Sequence, residues 1–379
     1  MAKRALALML TVVCLAPASA QRMTIAQLRQ TLAGYVAERK SDESIAKKCE
    51  PIELAEQLTP ATLSAMKEEF RLGPKTSLAL EMMADLSGFL DPPADEIPLK
   101  DPPDNAEQKK MLIQAVQFAA KTMHQMPNFI ATRTTTAYDN QPLLESAGGW
   151  IPAGAPLREE GTTKEQITYR SGDEVPLLDR SKDRSRREEQ STQSNLSTTG
   201  EFGPVLSLVL TDSLNGSIAW SHWENISGRL TAVYNFAVGE QASHYIVNFC
   251  WQMLTLETTI HMRADFDRFT TSCYHGEPGY RGSIAVDRES GAVMRITVEP
   301  VLPPAIALTQ AAMSIKYGTE EIGGQNYICP QSGVAVSRVR YSADSERPSR
   351  EILRINETAF TDYRRFGTTV TILPNSDVH

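Results

Sequence analysis

The stretch that decides the fold is GYRGSIAVDRESGAVMRITVEP, residues 279–300. Within it, residues 283–287 and residues 292–299 read as paired strands, and Arg295, Thr297 and Glu299 alternate with apolar side chains in the period-two pattern of a β-strand with one buried face. A short acidic segment separates the two runs. The stretch therefore predicts two adjacent antiparallel strands joined by a tight turn.

The acidic segment between the two runs has two interpretations, a turn or a cation site. Asp287 and Ser290 have side chains that hydrogen-bond turn backbone, and Gly291 tolerates the left-handed conformation that closes a bulged hairpin. A calcium loop needs several further oxygen ligands at alternating positions, whereas only Asp287 and Glu289 are charged candidates. The sequence therefore favours a structural turn and predicts no metal site.

The same period-two pattern recurs along the chain after residue 127. Gly323 and Gly324 lie between two such runs, and glycine at both central positions is typical of a two-residue hairpin turn. So many strands with few helices between them predict an antiparallel β-meander, which we expect to curve into a half-barrel. The runs are PNFIATRTTTAYD, EQITYRSGDEV, SIAWSHWE, RLTAVYNFAV, SHYIVNFCWQM, RGSIAVD, AVMRITVEP, AMSIKYGTEEI, QNYICPQSGVAVSRVRY and EILRINETAFTDYRRF.

Residues 21–90 show a helical pattern instead, with apolar side chains at every third or fourth position. Residues 91–105, DPPADEIPLKDPPDN, are rich in proline, which disfavours helix interiors and central strands, so they predict a stiff linker. We expect an α+β chain with an N-terminal helical domain at 21–90, a linker at 91–105, and a domain at 106–379 that combines one helix with antiparallel strands.

Two segments interrupt the strand-rich part. Residues 178–195 mix charges of both signs with Ser and Gln and carry almost no apolar side chains, so they predict a mobile charged loop. Residues 200–214 are apolar on most sides of a helix, which predicts a buried helix inside the run of strands.

The first 20 residues, MAKRALALMLTVVCLAPASA, have the pattern of a secretory signal, with cleavage between Ala20 and Gln21. Because this segment is removed, we expect an exported protein, periplasmic or secreted, with no integral membrane segment after cleavage. The net charge of the whole chain is −8, and the loss of Lys3 and Arg4 makes it more acidic. An acidic surface repels phosphate backbones, so nucleic acid is not an expected partner.

The sequence contains no linear catalytic motif, no phosphate loop and no dinucleotide fingerprint. It therefore predicts no catalytic residue, no cofactor and no bound metal, and leaves a hydrolase as a remote alternative. Trp220 and Trp223 lie three residues apart on a predicted strand, so their side chains should point to opposite faces. Together with Trp251 they either pack into the core or line an apolar pocket.

Four cysteines follow the signal: Cys49, Cys250, Cys273 and Cys329. An even count in an exported chain is typical of disulfides, and four cysteines allow three connectivities. None of them forms a C-x-x-C pair.

Six stretches together resemble a family of secreted bacterial proteins without an assigned function: GEFGPVLSLVL, WSHWE, ASHYIVNFCW, GYRGSIAVDRESGAVMRITVE, EEIGGQNYICP and FTDYRRFG. In that family, cysteines recur at the ends of the HYIVNFC and YICP strands, so the resemblance implies a Cys250–Cys329 disulfide. The second candidate is Cys250–Cys273, because a connection of that length could form a long hairpin.

More distantly, the chain is similar to the LolA, LolB and RseB-like periplasmic half-barrels, which carry or sense lipoproteins. That resemblance implies a curved sheet wrapped around helices, with a cavity suited to acyl chains. Two functions follow as expectations. The first is a non-enzymatic envelope protein that binds a lipid or an acylated protein in the half-barrel. The alternative is a protein-interaction or sensor module whose cavity is filled by its own side chains.

Overall fold

The computed structural model describes residues 22–140, 157–170, 173–176, 204–254, 269–341 and 350–365. The predicted signal at 1–20, with its cleavage position between Ala20 and Gln21, and the predicted loop at 178–195 lie outside these residues.

Four helices form the N-terminal part, and each begins at a capping side chain or a first-turn proline. Thr24 and Gln27 make a capping box, and Pro60 and Pro74 occupy first-turn positions in the third and fourth helices. The helices share a core of fully buried side chains, Leu28, Leu32, Leu58, Met66 and Leu80. They are α1 (Ile25–Ala37), α2 (Asp42–Cys49), α3 (Pro60–Phe70) and α4 (Pro74–Ser87).

Two further helices belong to the strand-rich part. Asp104 caps α5, Asn105–Gln125, by accepting a hydrogen bond from the backbone of Glu107. The internal helix predicted at 200–214 is α6, Pro204–Asn215. A short 3₁₀ turn covers Glu240–Ala242.

The described strands form a ten-stranded antiparallel sheet and a separate two-stranded sheet of β6 and β7. The large sheet has the order β3-β2-β1-β12-β11-β10-β9-β8-β5-β4, and it is curved and open. This confirms the α+β fold class with a half-barrel-like meander. The strands are β1 (Phe129–Asp139), β2 (Arg158–Arg170), β3 (Asp173–Pro176), β4 (Ser217–Ile226), β5 (Arg229–Val238), β6 (Val247–Leu254), β7 (Phe269–Gly276), β8 (Tyr280–Asp287), β9 (Val293–Pro300), β10 (Leu308–Ile322), β11 (Gln325–Tyr341) and β12 (Arg350–Arg365).

The two faces of the large sheet differ in chemistry, as two neighbouring rows of paired residues show. The row Trp220, Tyr234, Ile284, Ile296 and Ile315 is apolar, and we call its side the core face. Successive side chains of a strand point to opposite faces of the sheet, so the neighbouring row lies on the other side, which we call the cleft face. That row is His222, Val233, Ala285, Arg295 and Lys316.

The core face is filled by the chain's own helices. Ala115 of α5 and Val209 of α6 are fully buried against the apolar row, in one continuous cluster. The cluster also holds aromatic side chains from β4, β5 and β8, with Trp223, Tyr234 and Tyr280 almost completely buried. Within the described residues, this side of the half-barrel is a packed core.

α6 is buried through polar as well as apolar groups. Asp212 is 1% exposed, whereas Leu214 is 68% exposed. The Asp212 carboxylate accepts hydrogen bonds from the Tyr280 hydroxyl at 3.0 Å and from the His244 backbone at 2.9 Å, which satisfies it inside the core. Burial raises the pKa of Asp212, but these hydrogen bonds outweigh it and hold the pKa below its ordinary value.

The proline-rich segment 91–105 passes the edge strand β4. It joins α4, which packs on the cleft face, to α5, which packs on the core face. The indole of Trp223 donates a hydrogen bond to the carbonyl of Asp101 at 2.9 Å, and Lys100 lies 5.0 Å from the ring centroid of the same tryptophan. The segment therefore packs against the sheet at Trp223.

The hairpin that joins β8 to β9 packs its turn against α5. The Asp287 carboxylate accepts a hydrogen bond from the Ser290 hydroxyl at 2.6 Å, and Gly291 has a φ of +74°. A Cβ at Gly291 would also meet the backbone of Gln114 at 2.9 Å. Glycine is therefore required twice, by the backbone conformation and by the close helix. Gly323 and Gly324, at φ of +63° and +81°, form the turn between β10 and β11.

The disulfide implied by the family resemblance is wrong. Cys250 is bonded to Cys273, the second candidate, and Cys329 is a buried free thiol. The reason is strand pairing: β6 pairs with β7 in the two-stranded sheet, which places Cys250 directly opposite Cys273. Cys329 lies in β11 of the large sheet, and Cys49 in α2 is also a buried free thiol.

Candidate binding cleft

A cleft of about 850 Å³ lies between the cleft face and the N-terminal helices. Its floor comes from strands β5 and β8 to β12, and its wall comes from residues 52–55 and 83–91. The position follows from how α4 docks. Met82, Leu86 and Phe89 pack on the apolar end of the cleft face, formed mainly by β11 and β12, and leave the polar end uncovered.

Every second residue of the floor strands points into the cleft, and most of these residues are polar. Arg281 pairs with Glu299 and Ser283 pairs with Thr297, both directly across the β8–β9 ladder. The guanidinium of Arg281 donates two hydrogen bonds to Glu299, at 3.0 and 3.1 Å, and the hydroxyls of Ser283 and Thr297 are 2.9 Å apart. These cross-strand contacts hold the floor side chains in fixed orientations.

A second ladder continues the floor. Arg338 of β11 is paired with Gln310 of β10, and its Nε donates to the Gln310 side-chain oxygen at 3.0 Å. Asn235 of β5 lies at the other side of the floor and is exposed. The floor thus presents amide, hydroxyl, guanidinium and carboxylate groups side by side.

The buried end of the cleft holds an ion pair. Arg295 donates from Nη1 and Nη2 to the two carboxylate oxygens of Glu224, each at 2.6 Å, and the side chains are only 7% and 13% exposed. Burial raises the pKa of Glu224, but the imidazole of His222, 3.8 Å away, and the contacts with Arg295 outweigh it and hold that pKa below its ordinary value. Glu224 therefore stays ionised and compensates the buried guanidinium.

Asp85 lies where α4 meets the sheet, beside the cleft wall. Its pKa is raised to about 9, mainly by burial and further by a hydrogen bond with Glu357 of β12 and by the charge of that residue. The nearby ammonium of Lys316 acts in the opposite direction. Asp85 is therefore protonated at neutral pH, so α4 docks on Glu357 without repulsion between two carboxylates.

The charges that line the cleft balance. Arg22, Arg281, Arg295 and Arg338 face the same number of carboxylates, from Glu53, Asp91, Glu299 and Glu351. With Glu224 included as the partner of Arg295, the group differs from neutrality by a single charge, so it gives no strong field that would attract a highly charged ligand of either sign.

The tryptophans predicted as a possible pocket lie elsewhere. Trp220 and Trp223 share the core face, with ring centroids 4.9 Å apart, so the expectation that they point to opposite faces is wrong. The physical reason is a β-bulge between Trp220 and His222, where one extra residue shifts the alternation. Both rings pack into the core, and Trp251 lies in β6 with its side chain outside the described residues.

The sequence pattern did not predict the cleft residues as a binding site. Their only signal is the alternation of polar side chains in β8 and β9, with Arg281, Ser283, Arg295, Thr297 and Glu299 at every second position around the turn. The same pattern is expected of any strand with one solvated face. What makes this face a cleft is the placement of α4, which local sequence does not encode.

Two features are absent from the part of the chain that the structure describes, a membrane-spanning helix and a metal-binding cluster. None of the helices there is long and apolar enough to cross a membrane. In the same part of the chain, no three His, Cys, Asp or Glu side chains come together in a group that could hold a metal ion.

No family model matches this chain, and no curated protein matches it. The chain is similar to a solved structure described as an outer membrane lipoprotein-sorting protein domain from Vibrio parahaemolyticus, with 10% sequence identity and a TM-score of 0.29. The similarity covers 69% of this chain and 94% of that chain. At this identity and TM-score it carries no argument about function, and membership of a family of secreted bacterial proteins stays a prediction.

Proposed function

We propose that the protein is an exported, non-enzymatic binding module of the bacterial envelope, and that it recognises its ligand in the cleft between the N-terminal helices and the cleft face. The observation that carries this proposal is the contrast between the two faces of the sheet. One face is packed by α5 and α6, whereas the part of the other face that α4 leaves uncovered is polar and lined by side chains that contact one another across the strands.

This proposal shares one feature with the protein-interaction or sensor module expected from the sequence, a cavity filled by the chain's own side chains. A lipid or an acylated protein bound under the sheet would have to displace α6, together with the buried contacts of Val209 and Asp212. Burial of apolar side chains contributes roughly 1.5 to 3 kcal/mol each, so an acyl chain would have to replace several such contacts. The cleft requires no such rearrangement.

Site-specific photo-crosslinking in cells tests the proposal without knowledge of the ligand. A diazirine amino acid is placed at Asn235 or Arg281, which are exposed in the cleft, and in separate cells at Asn225, which is exposed on β4 and does not line the cleft. Mass spectrometry of the digested protein then identifies any adduct, whether small molecule or polypeptide.

The proposal predicts a defined adduct at positions 235 and 281 and none at position 225. Equal labelling at all three positions, or labelling at none of them, would contradict a recognition site in the cleft.

A further inference from the structure

We infer that the cleft takes a neutral polyhydroxylated ligand, the chemistry of an oligosaccharide. The inference rests on the proposed function and specifies the ligand class of that site. Three features of the cleft support it: the balance of its charges, the kind of polar groups on its floor, and the apolar part of its wall.

The balance of charges excludes a ligand that depends on its own net charge. Arg281 is already paired with Glu299, and Arg295 is paired with Glu224. A charged ligand that engaged one of these four side chains would have to break a pair and leave its partner uncompensated, which is costly where the pair is buried. A neutral ligand can bind while both pairs stay intact.

The floor offers donors and acceptors in adjacent positions. A sugar hydroxyl donates one hydrogen bond and accepts others, so it pairs best with side chains that combine both functions or alternate them. Asn235 and Gln310 carry amides, Ser283 and Thr297 carry hydroxyls, and the Arg281–Glu299 pair puts a donor beside an acceptor. Because these groups are held by cross-strand contacts, little side-chain entropy is lost when they bind.

One buried donor at the cleft has no acceptor in the described part of the chain. Arg295 is 6% exposed and lines the cleft, its terminal nitrogens are used by Glu224, and its Nε–H has no hydrogen-bond partner among the described residues. A buried donor left without a partner is unfavourable. Because Nε is itself closed off from solvent, a ligand oxygen would reach it only after the neighbouring side chains move, so the binding argument rests on the exposed groups of the floor.

One part of the wall is apolar. Leu86, Phe89 and Leu90 line it, and the Phe89 ring is partly exposed. A pyranose ring has hydroxyls along its edge and C–H groups on its faces, so it fits between a polar floor and an aromatic wall.

A peptide is a poorer match to this geometry. Extended peptides gain much of their affinity by adding a strand to an exposed sheet edge, where backbone groups are unpaired. The floor strands β8, β9, β10 and β11 are internal to the sheet, so each is paired on both sides. Recognition on this floor therefore depends on side chains.

Isothermal titration of the full chain tests the inference with named probes: maltotetraose, cellotetraose and chitotetraose as neutral glycans, a neutral Gly-Ser tetrapeptide, and a dansyl-labelled fatty acid. We compare the unmodified chain with Arg281→Ala and Asn235→Ala in the cleft, and with Asn225→Ala as a matched asparagine substitution outside it. All three positions are exposed, and thermal unfolding confirms that each variant is folded.

The expected result is saturable binding of at least one glycan. Arg281→Ala should weaken it by about tenfold, the effect of losing one or two hydrogen bonds, while Asn225→Ala leaves it unchanged. If the tetrapeptide or the fatty acid binds in an Arg281-dependent manner and no glycan does, the ligand class is wrong although the cleft is the site. If no glycan binds, or if neither cleft substitution changes glycan binding, the inference is overturned. The crosslinking experiment tests the proposed function separately.

Discussion

Arg295 and Glu224 form an ion pair that spans the width of two strands, since β5 and β8 lie between the strands that carry them. Both side chains are largely buried. Replacing Glu224 with glutamine would leave the guanidinium of Arg295 buried without a counter-charge. We expect Glu224→Gln to lower the free energy of unfolding by about 3 kcal/mol, measured by urea denaturation.

The control for this variant is Glu299→Gln, which removes the partner of Arg281 in a more exposed pair, with side chains 65% and 32% exposed. That change should cost less than about 1 kcal/mol, because solvent screens the charges. Equal losses in the two variants would mean that burial does not set the strength of the Arg295 pair.

Asp85 makes the stability of the fold depend on pH. Its pKa rises from an ordinary 3.8 to about 9 in the folded chain, so the folded state keeps a proton that the unfolded state releases. The contribution of Asp85 to the free energy of unfolding is complete below its pKa in the unfolded chain. It is lost as pH rises toward its pKa in the folded chain. Denaturation at a series of pH values should therefore show stability falling between about pH 4 and pH 9.

In Asp85→Asn the side chain is neutral at every pH, so we expect the decline with pH to be shallower. The charged groups that act on Asp85 are Glu81 on α4, Glu357 on β12 and Lys316 on β10, and the variant leaves all three unchanged. Asp95→Asn, at an exposed position, serves as the control. Parallel stability curves for the unmodified chain and Asp85→Asn would show that Asp85 is not the responsible group.

Gly291 tests the contact between the β8–β9 turn and α5. Gly291→Ala imposes a Cβ both on a left-handed φ of +74° and on the Gln114 backbone 2.9 Å away. Gly228→Ala places alanine at a similar φ of +76° with open space around it. Left-handed strain alone costs roughly 1 to 2 kcal/mol, so Gly228→Ala should lose about that much and Gly291→Ala clearly more. Thermal unfolding measures both, and equal losses would argue against the close approach of α5.

The cysteines in the described residues divide into one disulfide and two free thiols. Peptide mapping without reduction should recover Cys250 linked to Cys273, and Cys329→Ser should leave that link intact. Removing the link with Cys250→Ser should cost about 3 kcal/mol, the value expected for a loop of this length.

Thiol alkylation of the folded chain at neutral pH should be slow at Cys49 and Cys329. Burial raises their pKa values to about 11 and about 12, so little thiolate is present. Fast labelling of either thiol before unfolding would contradict its burial. A peptide that links Cys250 to Cys329 would contradict the pairing of β6 with β7.

The elements that local sequence specifies were the ones predicted well. The β8–β9 hairpin combines two alternating runs with a glycine at the required position, and α1 has a capping box that fixes its start. The errors come from features without a local signal. The bulge before His222 reverses the alternation that would separate Trp220 from Trp223, and no side chain marks it. The disulfide depends on which strands pair, and the cleft depends on where α4 docks.

The most direct test of the central claim is a titration of the full chain with a dansyl-labelled fatty acid, followed by fluorescence, alongside Arg281→Ala. Because α5 and α6 fill the core face, we predict no saturable binding under conditions in which the chain stays folded. One-to-one binding that is unaffected by Arg281→Ala would place an acyl chain under the sheet, and would contradict the claim that the cleft is the recognition site.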